Sequence, residues 1–212
     1  MVIGIDFDNT IVSYDELFHK SAVDRQLIPA ELEPSKRIIR NFLRKCGKEE
    51  EWIELQGYAY GEGLREALPF PGVVGFFTRC RSLGLKLYII SHRTRFPFKG
   101  PDYDLHQAAH QWLKMHGFYS EGEIGLSTSQ VYFELTKEEK LARIPKVGCT
   151  YFIDDLLEFL EEPEFPAGVQ RVLFDPYDDH PDDSRFLRVI SWAKMEELVV
   201  REGIARCGLR TV

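Results

Sequence analysis

Two aspartates, Asp6 and Asp8, directly follow the apolar run Val2-Ile3-Gly4-Ile5 at the start of the chain. The run predicts a buried strand, and residues i and i+2 of a strand point the same way. The two carboxylates should therefore lie side by side at the carboxyl end of this strand. Like charges so placed repel each other unless a cation neutralises them or one is protonated. Such a pair indicates either a reaction centre or an ordinary strand-end turn, and other segments must decide between the two.

Two further apolar runs also end on polar side chains. Residues 85–90 form the first run and lead into Ser91, whereas residues 151–153 form a short strand that leads into Asp154 and Asp155. Taken singly, a serine is uninformative, and an acidic pair is typical of a helix N-terminus. Because the carboxyl ends of parallel strands meet at one edge of a sheet, the three positions together predict a shared site.

A lysine lies between these two runs. Thr136 and Glu139 match a capping box and predict a helix that carries Lys140. Alone, such a lysine is typical of a solvated helix face. Pro145 is expected to end the helix early, which would leave it two turns long and make the reach of Lys140 toward Asp6 less assured.

In their order and context, these segments resemble the four motifs of the haloacid dehalogenase (HAD) superfamily. The resemblance covers the core, about residues 1–12 and 70–175, and the interval from Lys140 to Asp154 is similar to the usual spacing of the third and fourth motifs. Dehalogenases lack the second carboxylate of the first motif, and phosphonatases replace it with a small residue. Asp8 therefore implies the phosphatase branch.

The resemblance and the chemistry of phosphate esters give the expected roles. A phosphomonoester dianion resists attack by an anion, so the site needs a divalent cation and fixed positive charge; Mg²⁺ suits oxygen ligands. Asp6 is the expected nucleophile that forms an aspartyl-phosphate, Asp8 the general acid and then base, and Lys140 the charge partner of Asp6. The expected metal ligands are Asp6, Asp8 through its backbone carbonyl, Asp154 and Asp155. The expected phosphate-binding residues are Thr10, Ser91, His92 and Lys140, and Arg93 is the expected substrate contact. Asp155 has two open roles, metal contact through water or support of the loop and Lys140.

Strands and helices alternate along most of the chain, which predicts an α/β fold: a Rossmann-like parallel sheet with helices on both faces. Residues 13–69 break the alternation and contain two amphipathic helical patterns. The predicted domains are a core of residues 1–12 and 70–212 and a small helical cap of residues 13–69. A cap inserted after the first strand resembles the C1 type of the superfamily, which implies a small substrate.

Composition narrows the partners and the compartment. The chain has 212 residues and a net charge of −7, which argues against general binding to nucleic acid or to anionic membranes. No long apolar stretch predicts a membrane span, and the first residues lack the basic region of a secretory signal. Four cysteines occur singly, without a C-x-x-C pattern, so reduced thiols and a cytoplasmic location are expected.

The sequence therefore predicts an Mg²⁺-dependent phosphatase that hydrolyses a small phosphorylated metabolite, such as a sugar phosphate or nucleotide. Two alternatives stay open. A phosphotransferase or phosphomutase would use the same intermediate, and a non-catalytic protein would bind a phosphorylated ligand without turnover. The chain is expected to act as a monomer or homodimer.

Three other patterns have both a functional and a structural interpretation. His106 and His110 are spaced as a metal pair but lack a third ligand nearby, and helix packing is the better interpretation. The acidic loop around residues 175–183 lacks the glycine of a calcium loop, so a solvated rim is favoured. The cations Arg93, Arg95 and Lys99 are expected either at the mouth of the site or in a surface charge cluster. The aromatic residues Trp52, Tyr58 and Tyr60 are expected either to pack between helices and core or to stack on a base or sugar of the substrate.

Overall fold

The computed structural model describes the backbone of residues 1–207 and the side chains of residues 1–199. The strands are β1 (Val2–Ile5), β2 (Val12–Ser13), β3 (Leu68–Pro69), β4 (Lys86–His92), β5 (Val131–Glu134), β6 (Tyr151–Asp154), β7 (Gln170–Phe174) and β8 (Leu187–Val189). The α-helices are α1 (Asp15–Asp24), α2 (Lys36–Lys45), α3 (Glu49–Tyr60), α4 (Val73–Ser82), α5 (Leu105–Met115), α6 (Lys137–Lys146), α7 (Leu157–Leu160) and α8 (Trp192–Cys207). Short 3-10 helices cover Glu62–Glu66 and Thr128–Gln130.

Within residues 1–207, six strands form one parallel sheet in the order β5-β4-β1-β6-β7-β8. The central strand β1 pairs with β4 on one side and β6 on the other, so that Ile5 lies opposite both Ile89 and Ile153. The strand order reverses beside β1. In doubly wound folds, ligands bind at this switch point, outside the carboxyl ends of the strands.

Helices pack on both faces of the sheet. Consecutive residues of a strand point to opposite faces, and β7 shows this directly. Leu173 belongs to a buried cluster with Ile144 of α6 and Phe159 of α7, whereas the Phe174 ring lies 5.3 Å from that of Trp192 on α8. The prediction of a Rossmann-like parallel sheet covered on both faces is confirmed.

The chain divides into two compact units, the first comprising residues 1–11, 69–92 and 117–212 and the second residues 12–68 and 93–116. The second unit is larger than the predicted cap of residues 13–69, because α5 also belongs to it. Tertiary packing places α5 there: the indole N–H of Trp112 donates to the Ala67 carbonyl at 2.8 Å. The sequence interval between β4 and β5 gave no sign of this.

The helix that carries Lys140 extends farther than predicted. Thr136 and Glu139 form the capping box, but α6 continues to Lys146 with Pro145 inside its last turn. The prediction that Pro145 ends the helix early was therefore wrong. A proline removes its own N–H donor and its ring crowds the carbonyl four residues before it, yet the Val147 N–H still bonds to the Arg143 carbonyl at 3.1 Å.

No helix in the described part of the chain is both long and apolar enough to cross a membrane.

Candidate active site

Asp6 lies in the turn that immediately follows β1. Its backbone N–H donates to the Ile153 carbonyl at 2.9 Å, so the residue is still held by the sheet, and its side chain is buried. Asn9 adopts a φ of +56°, a left-handed conformation that asparagine tolerates better than most residues. The turn is closed by the Ile11 N–H, which donates to the Phe7 carbonyl at 3.0 Å. Asp6 is thereby fixed beside the switch point of the sheet.

Lys140 bridges two buried carboxylates. Its Nζ lies 2.6 Å from Asp6 Oδ1 and 2.6 Å from Asp154 Oδ2, and its side chain is only 3% exposed. The capping box begins α6 at a point that leaves Lys140 on its buried side with Leu141 and Ile144. The helix is not cut short at Pro145, and Lys140 contacts Asp6 directly.

Burial and charge act in opposite directions on these groups. Burial raises the pKa of Asp6 well above its ordinary value; Lys140 opposes this, while Asp154, Asp155 and Asp8 add to it. Burial by itself lowers the pKa of Lys140, but the attraction of Asp154 and Asp6 raises it above the ordinary value of a lysine. The charged form of Lys140 is therefore favoured.

Asp154 and Asp155 complete an acidic cluster with Asp6. One carboxylate oxygen from each lies within 4.8 Å of the others. The Leu156 N–H holds Asp154 by donating to Oδ1 at 2.9 Å, and the hydroxyl of Thr10 donates to Asp155 Oδ1 at 3.3 Å. Hard carboxylate oxygens grouped in this way suit Mg²⁺.

The other predicted site residues of the first unit lie just after β1 or at the end of β4. Asp8 is half-buried, and Ser91 is buried opposite Phe133 of β5. His92 is exposed, and its Nε2 lies 3.1 Å from the Leu135 carbonyl oxygen. Thr10 is directed to Asp155, so its expected contact with phosphate stays a prediction, as do those of Ser91 and His92.

Arg93 belongs to the second unit. Its guanidinium is buried and donates to the Leu105 carbonyl at 3.1 Å and the Tyr60 carbonyl at 2.6 Å. These bonds join α5 to the end of α3. The expected role of Arg93 as a substrate contact stays a prediction.

The remaining sequence patterns have structural partners. Arg95 pairs with Asp104 and Lys99 with Glu50, while His106 Nε2 lies 2.7 Å from the Arg93 carbonyl oxygen.

The aromatic residues and the acidic loop are likewise engaged within their own units. The Trp52 ring stacks on Phe18 at 5.1 Å, and the Tyr60 ring packs edge-on to Tyr14 at 5.0 Å. In the acidic loop, Asp175 accepts a hydrogen bond from Arg188 at 3.0 Å and is buried.

Two residues near the cluster were not predicted from sequence. The Trp192 indole N–H donates to the Thr10 carbonyl at 3.1 Å, from a position 182 residues away. The Phe159 ring lies under the Lys140 ammonium, with Nζ 4.0 Å from its centroid. Each reads in sequence as an ordinary core aromatic, and no local pattern distinguishes it.

No protein-family model matches the chain, and no curated protein matches it significantly in sequence. Solved structures do match in fold. A HAD-family hydrolase from Deinococcus radiodurans, with bound phosphate and sodium, aligns with a TM-score of 0.60 at 12% identity over 95% of this chain and 96% of that chain. A predicted phosphatase from Clostridium acetobutylicum aligns with a TM-score of 0.60 at 13% identity over 94% and 98%.

A putative HAD-hydrolase from Bacillus subtilis, bound to magnesium, aligns with a TM-score of 0.55 at 13% identity over 93% of this chain and 97% of that chain. These similarities extend over nearly the whole length of both partners. The motif positions and the tertiary structure agree, and the chain has the fold of the HAD-superfamily hydrolases.

Proposed function

We propose that this chain is an Mg²⁺-dependent phosphatase that hydrolyses a small phosphomonoester through an aspartyl-phosphate on Asp6. The observation that supports it most is the buried Lys140 ammonium between Asp6 and Asp154, 2.6 Å from each. A buried charge triad is expensive to maintain for stability alone. The triad lies at the switch point of a doubly wound sheet, and ligands bind at that point in such folds.

The donor set suits a divalent cation. We assign Asp6, Asp154 and Asp155 as side-chain ligands, with the Asp8 backbone carbonyl as a further ligand. The magnesium-bound and phosphate-bound neighbours support this assignment. When bound, the cation would neutralise the carboxylates, favour the ionised form of Asp6 and attract the phosphoryl oxygens.

The chain's own residues would divide the chemistry as follows. Lys140 holds Asp6 Oδ1, which leaves Oδ2 as the atom that we assign to attack phosphorus. The bond from phosphorus to the leaving oxygen breaks as the bond to Asp6 forms, and Asp8 gives its proton to the leaving alkoxide. Asp8 then takes a proton from the water that hydrolyses the intermediate.

Around this centre, phosphate contacts are assigned to Thr10, Ser91, His92 and Lys140, and a contact to the rest of the substrate is assigned to Arg93. We also propose that the second unit acts as the substrate-selecting cap. Its two segments, residues 12–68 and 93–116, follow in sequence the carboxyl-end loops of β1 and β4. A small metabolite is the substrate class that such an insertion favours. The cytoplasmic location and the monomeric or homodimeric state stay predictions.

A panel of sugar phosphates, nucleotides and p-nitrophenyl phosphate, assayed with Mg²⁺ for release of inorganic phosphate, tests the function. Asp6→Asn should reduce kcat to below about one-hundredth, because an amide is a poor nucleophile. Asp175→Asn is the matched control, since this buried carboxylate follows β7 but bonds to Arg188 instead of Lys140. It should stay within about threefold of wild type.

Two outcomes would contradict the proposal: no phosphate release from any member of the panel, or an Asp6→Asn variant within about tenfold of wild type. Phosphoryl transfer to an added alcohol in place of water would favour the phosphotransferase alternative. Binding without turnover would favour the non-catalytic one.

A further inference from the structure

The Lys140 ammonium is a buried cation held by two carboxylates. In the described part of the chain it donates hydrogen bonds to Asp6 Oδ1 and Asp154 Oδ2. The side chain is only 3% exposed. A desolvated cation of this kind also attracts an electron-rich partner that is not an oxygen, such as the face of an aromatic ring.

The ring of Phe159 supplies that partner. Nζ lies over the ring, 4.0 Å from its centroid, and the Phe152 ring is farther away at 5.5 Å. A nitrogen this near to the centroid can lie only over the face, because at the edge the ring hydrogens would hold it farther out. The face of an aromatic ring carries the negative end of its quadrupole and attracts cations.

The ring is itself held in place. Phe159 is buried, and its centroid lies 5.8 Å from that of Phe152 and 6.1 Å from that of Phe165. Its backbone N–H donates to the Leu156 carbonyl at 3.1 Å, and the Leu156 N–H in turn donates to Asp154. The ring and one of the two carboxylates are therefore fixed by the same short turn. The fixed ring limits where the ammonium can lie.

An aromatic face suits this position better than an oxygen would. Four carboxylates already lie close together here, those of Asp6, Asp8, Asp154 and Asp155. A third carboxylate on Lys140 would add permanent negative potential and draw the ammonium away from Asp6. A ring attracts the cation without ligating a metal ion or accepting a proton. Desolvated contacts of this type change an equilibrium constant by about tenfold to thirtyfold.

We propose that Phe159 is a positioning residue whose ring face holds the Lys140 ammonium between Asp6 and Asp154 through a cation–π contact. The effect on rate rests on the proposed phosphatase function. The contact itself does not. Because small displacements of a catalytic charge reduce rates steeply, the electron density of the ring should control kcat.

Stepwise fluorination tests this directly. Phe159 is replaced by 4-fluoro-, 3,5-difluoro- and 3,4,5-trifluorophenylalanine, which nearly preserve ring shape while weakening the negative face. We expect kcat to fall at each step, to about one-tenth with the trifluoro ring, and KM to change less than about twofold. Phe77 is the control ring: it is buried in the same unit, and its ring contacts are with Phe76 and Phe118. Fluorination there should leave kcat unchanged.

A stability series separates this proposal from the proposed function. The unfolding equilibrium constant is measured for the same fluorinated rings in the wild-type chain and in a neutral background, Lys140→Met with Asp6→Asn and Asp154→Asn. The triple change avoids leaving buried carboxylates without their cation. We expect fluorination to raise the unfolding constant by about tenfold in the wild type and much less in the neutral background.

If fluorination raises the unfolding constant equally in the two backgrounds, the proposed cation–π contact is overturned. A constant kcat across the Phe159 series, or an equal decline in the Phe77 series, would overturn the positioning role. A wild-type chain that releases no phosphate would contradict the proposed function, and the stability series would still decide the contact.

Discussion

At the scale of single residues, the main feature of the site is the balance of charge between Lys140 and the acidic cluster. Lys140 is the one buried cation bonded to the acidic cluster within the described residues, and it contacts two of its carboxylates. Burial raises the pKa of Asp6, and Lys140 works against that shift. Removal of the cation would leave carboxylates that must either protonate or repel. Lys140 should therefore matter for stability as well as for chemistry.

Lys140→Met should lower the free energy of unfolding by about 3–5 kcal/mol, as expected when one partner of a buried ion pair is removed. Lys137→Met is the matched control on the same helix, because Lys137 pairs with Glu162 near the surface. Its loss should be below about 1 kcal/mol. Urea unfolding at neutral pH measures both. Equal losses would show that burial of the Lys140 pair contributes nothing beyond an ordinary surface pair.

At the scale of elements, the turn that carries Asp6 is bonded to a helix that is remote in sequence. The Trp192 side chain, at the start of α8, donates to the Thr10 carbonyl and packs 4.9 Å from the Phe76 ring of α4. Through this hydrogen bond, α8 supports the turn after β1. Thr10 in turn holds Asp155.

Trp192→Phe should lower both Tm and kcat, the latter by about tenfold, because the Thr10 carbonyl loses its buried donor and the turn loosens. Trp112→Phe removes an equivalent bond to Ala67 in the second unit. It should lower Tm without a comparable loss of kcat on p-nitrophenyl phosphate. Thermal unfolding and steady-state kinetics check the pair. A Trp192→Phe enzyme with wild-type kcat would show that the turn does not need α8.

At the scale of the whole molecule, two units fold from five stretches of chain, and the acidic cluster forms only when distant strands pair. Asp6 and Lys140 are 134 positions apart. The cluster should therefore report on folding of the sheet, and cation binding should stabilise the folded chain through mass action. The second unit has its own stability, which depends on its own titrating groups.

Mg²⁺ should support turnover and raise Tm, EDTA should abolish turnover, and Ca²⁺ should raise Tm but inhibit. Ca²⁺ takes more oxygen ligands and binds carboxylates in bidentate mode, which would occupy the attacking oxygen of Asp6. Asp154→Asn should reduce the Tm increase with either ion. Full activity in EDTA, or with Ca²⁺ alone, would contradict the metal-dependent mechanism.

The second unit should lose stability in mild acid. Burial lowers the pKa of His110, helped by nearby His106, and burial also lowers the pKa of His116, whose Nε2 is buried without a hydrogen-bond partner among the described residues. Below pH 6.5, the ordinary pKa of a histidine, the unfolded chain therefore binds more protons than the folded chain. The stability from these neutral imidazoles is present above that pH and falls as the pH drops through the folded values.

Urea midpoints between pH 7.5 and 5.5 should decline in the wild type and decline less in a His110→Gln, His116→Gln variant. Asp104 also has a lowered pKa, but its effect on stability appears only below pH 3.8, the ordinary pKa of an aspartate. An identical decline in wild type and variant would show that these histidines do not control the acid response.

Local signals in the sequence were sufficient for much of this protein. The apolar runs before Asp6, Ser91 and Asp154 predicted the strands, and the capping box of Thr136 and Glu139 predicted the start of the Lys140 helix. Each signal depends on neighbours a few positions away, through alternation or a cap. The parallel sheet, and the convergence of the strand ends on one edge, follow from the order of these elements.

Only the tertiary structure decided what depends on contacts between distant residues. Pro145 was a helix end by local rules, yet packing of Leu141 and Ile144 keeps α6 intact beyond it. In the same way, long-range partners assign α5 to the second unit, place Trp192 against the Thr10 carbonyl and place Phe159 under Lys140. Side-chain hydrogen bonds and ring contacts carry no period along the chain, so neither position differs in sequence from any other core aromatic residue.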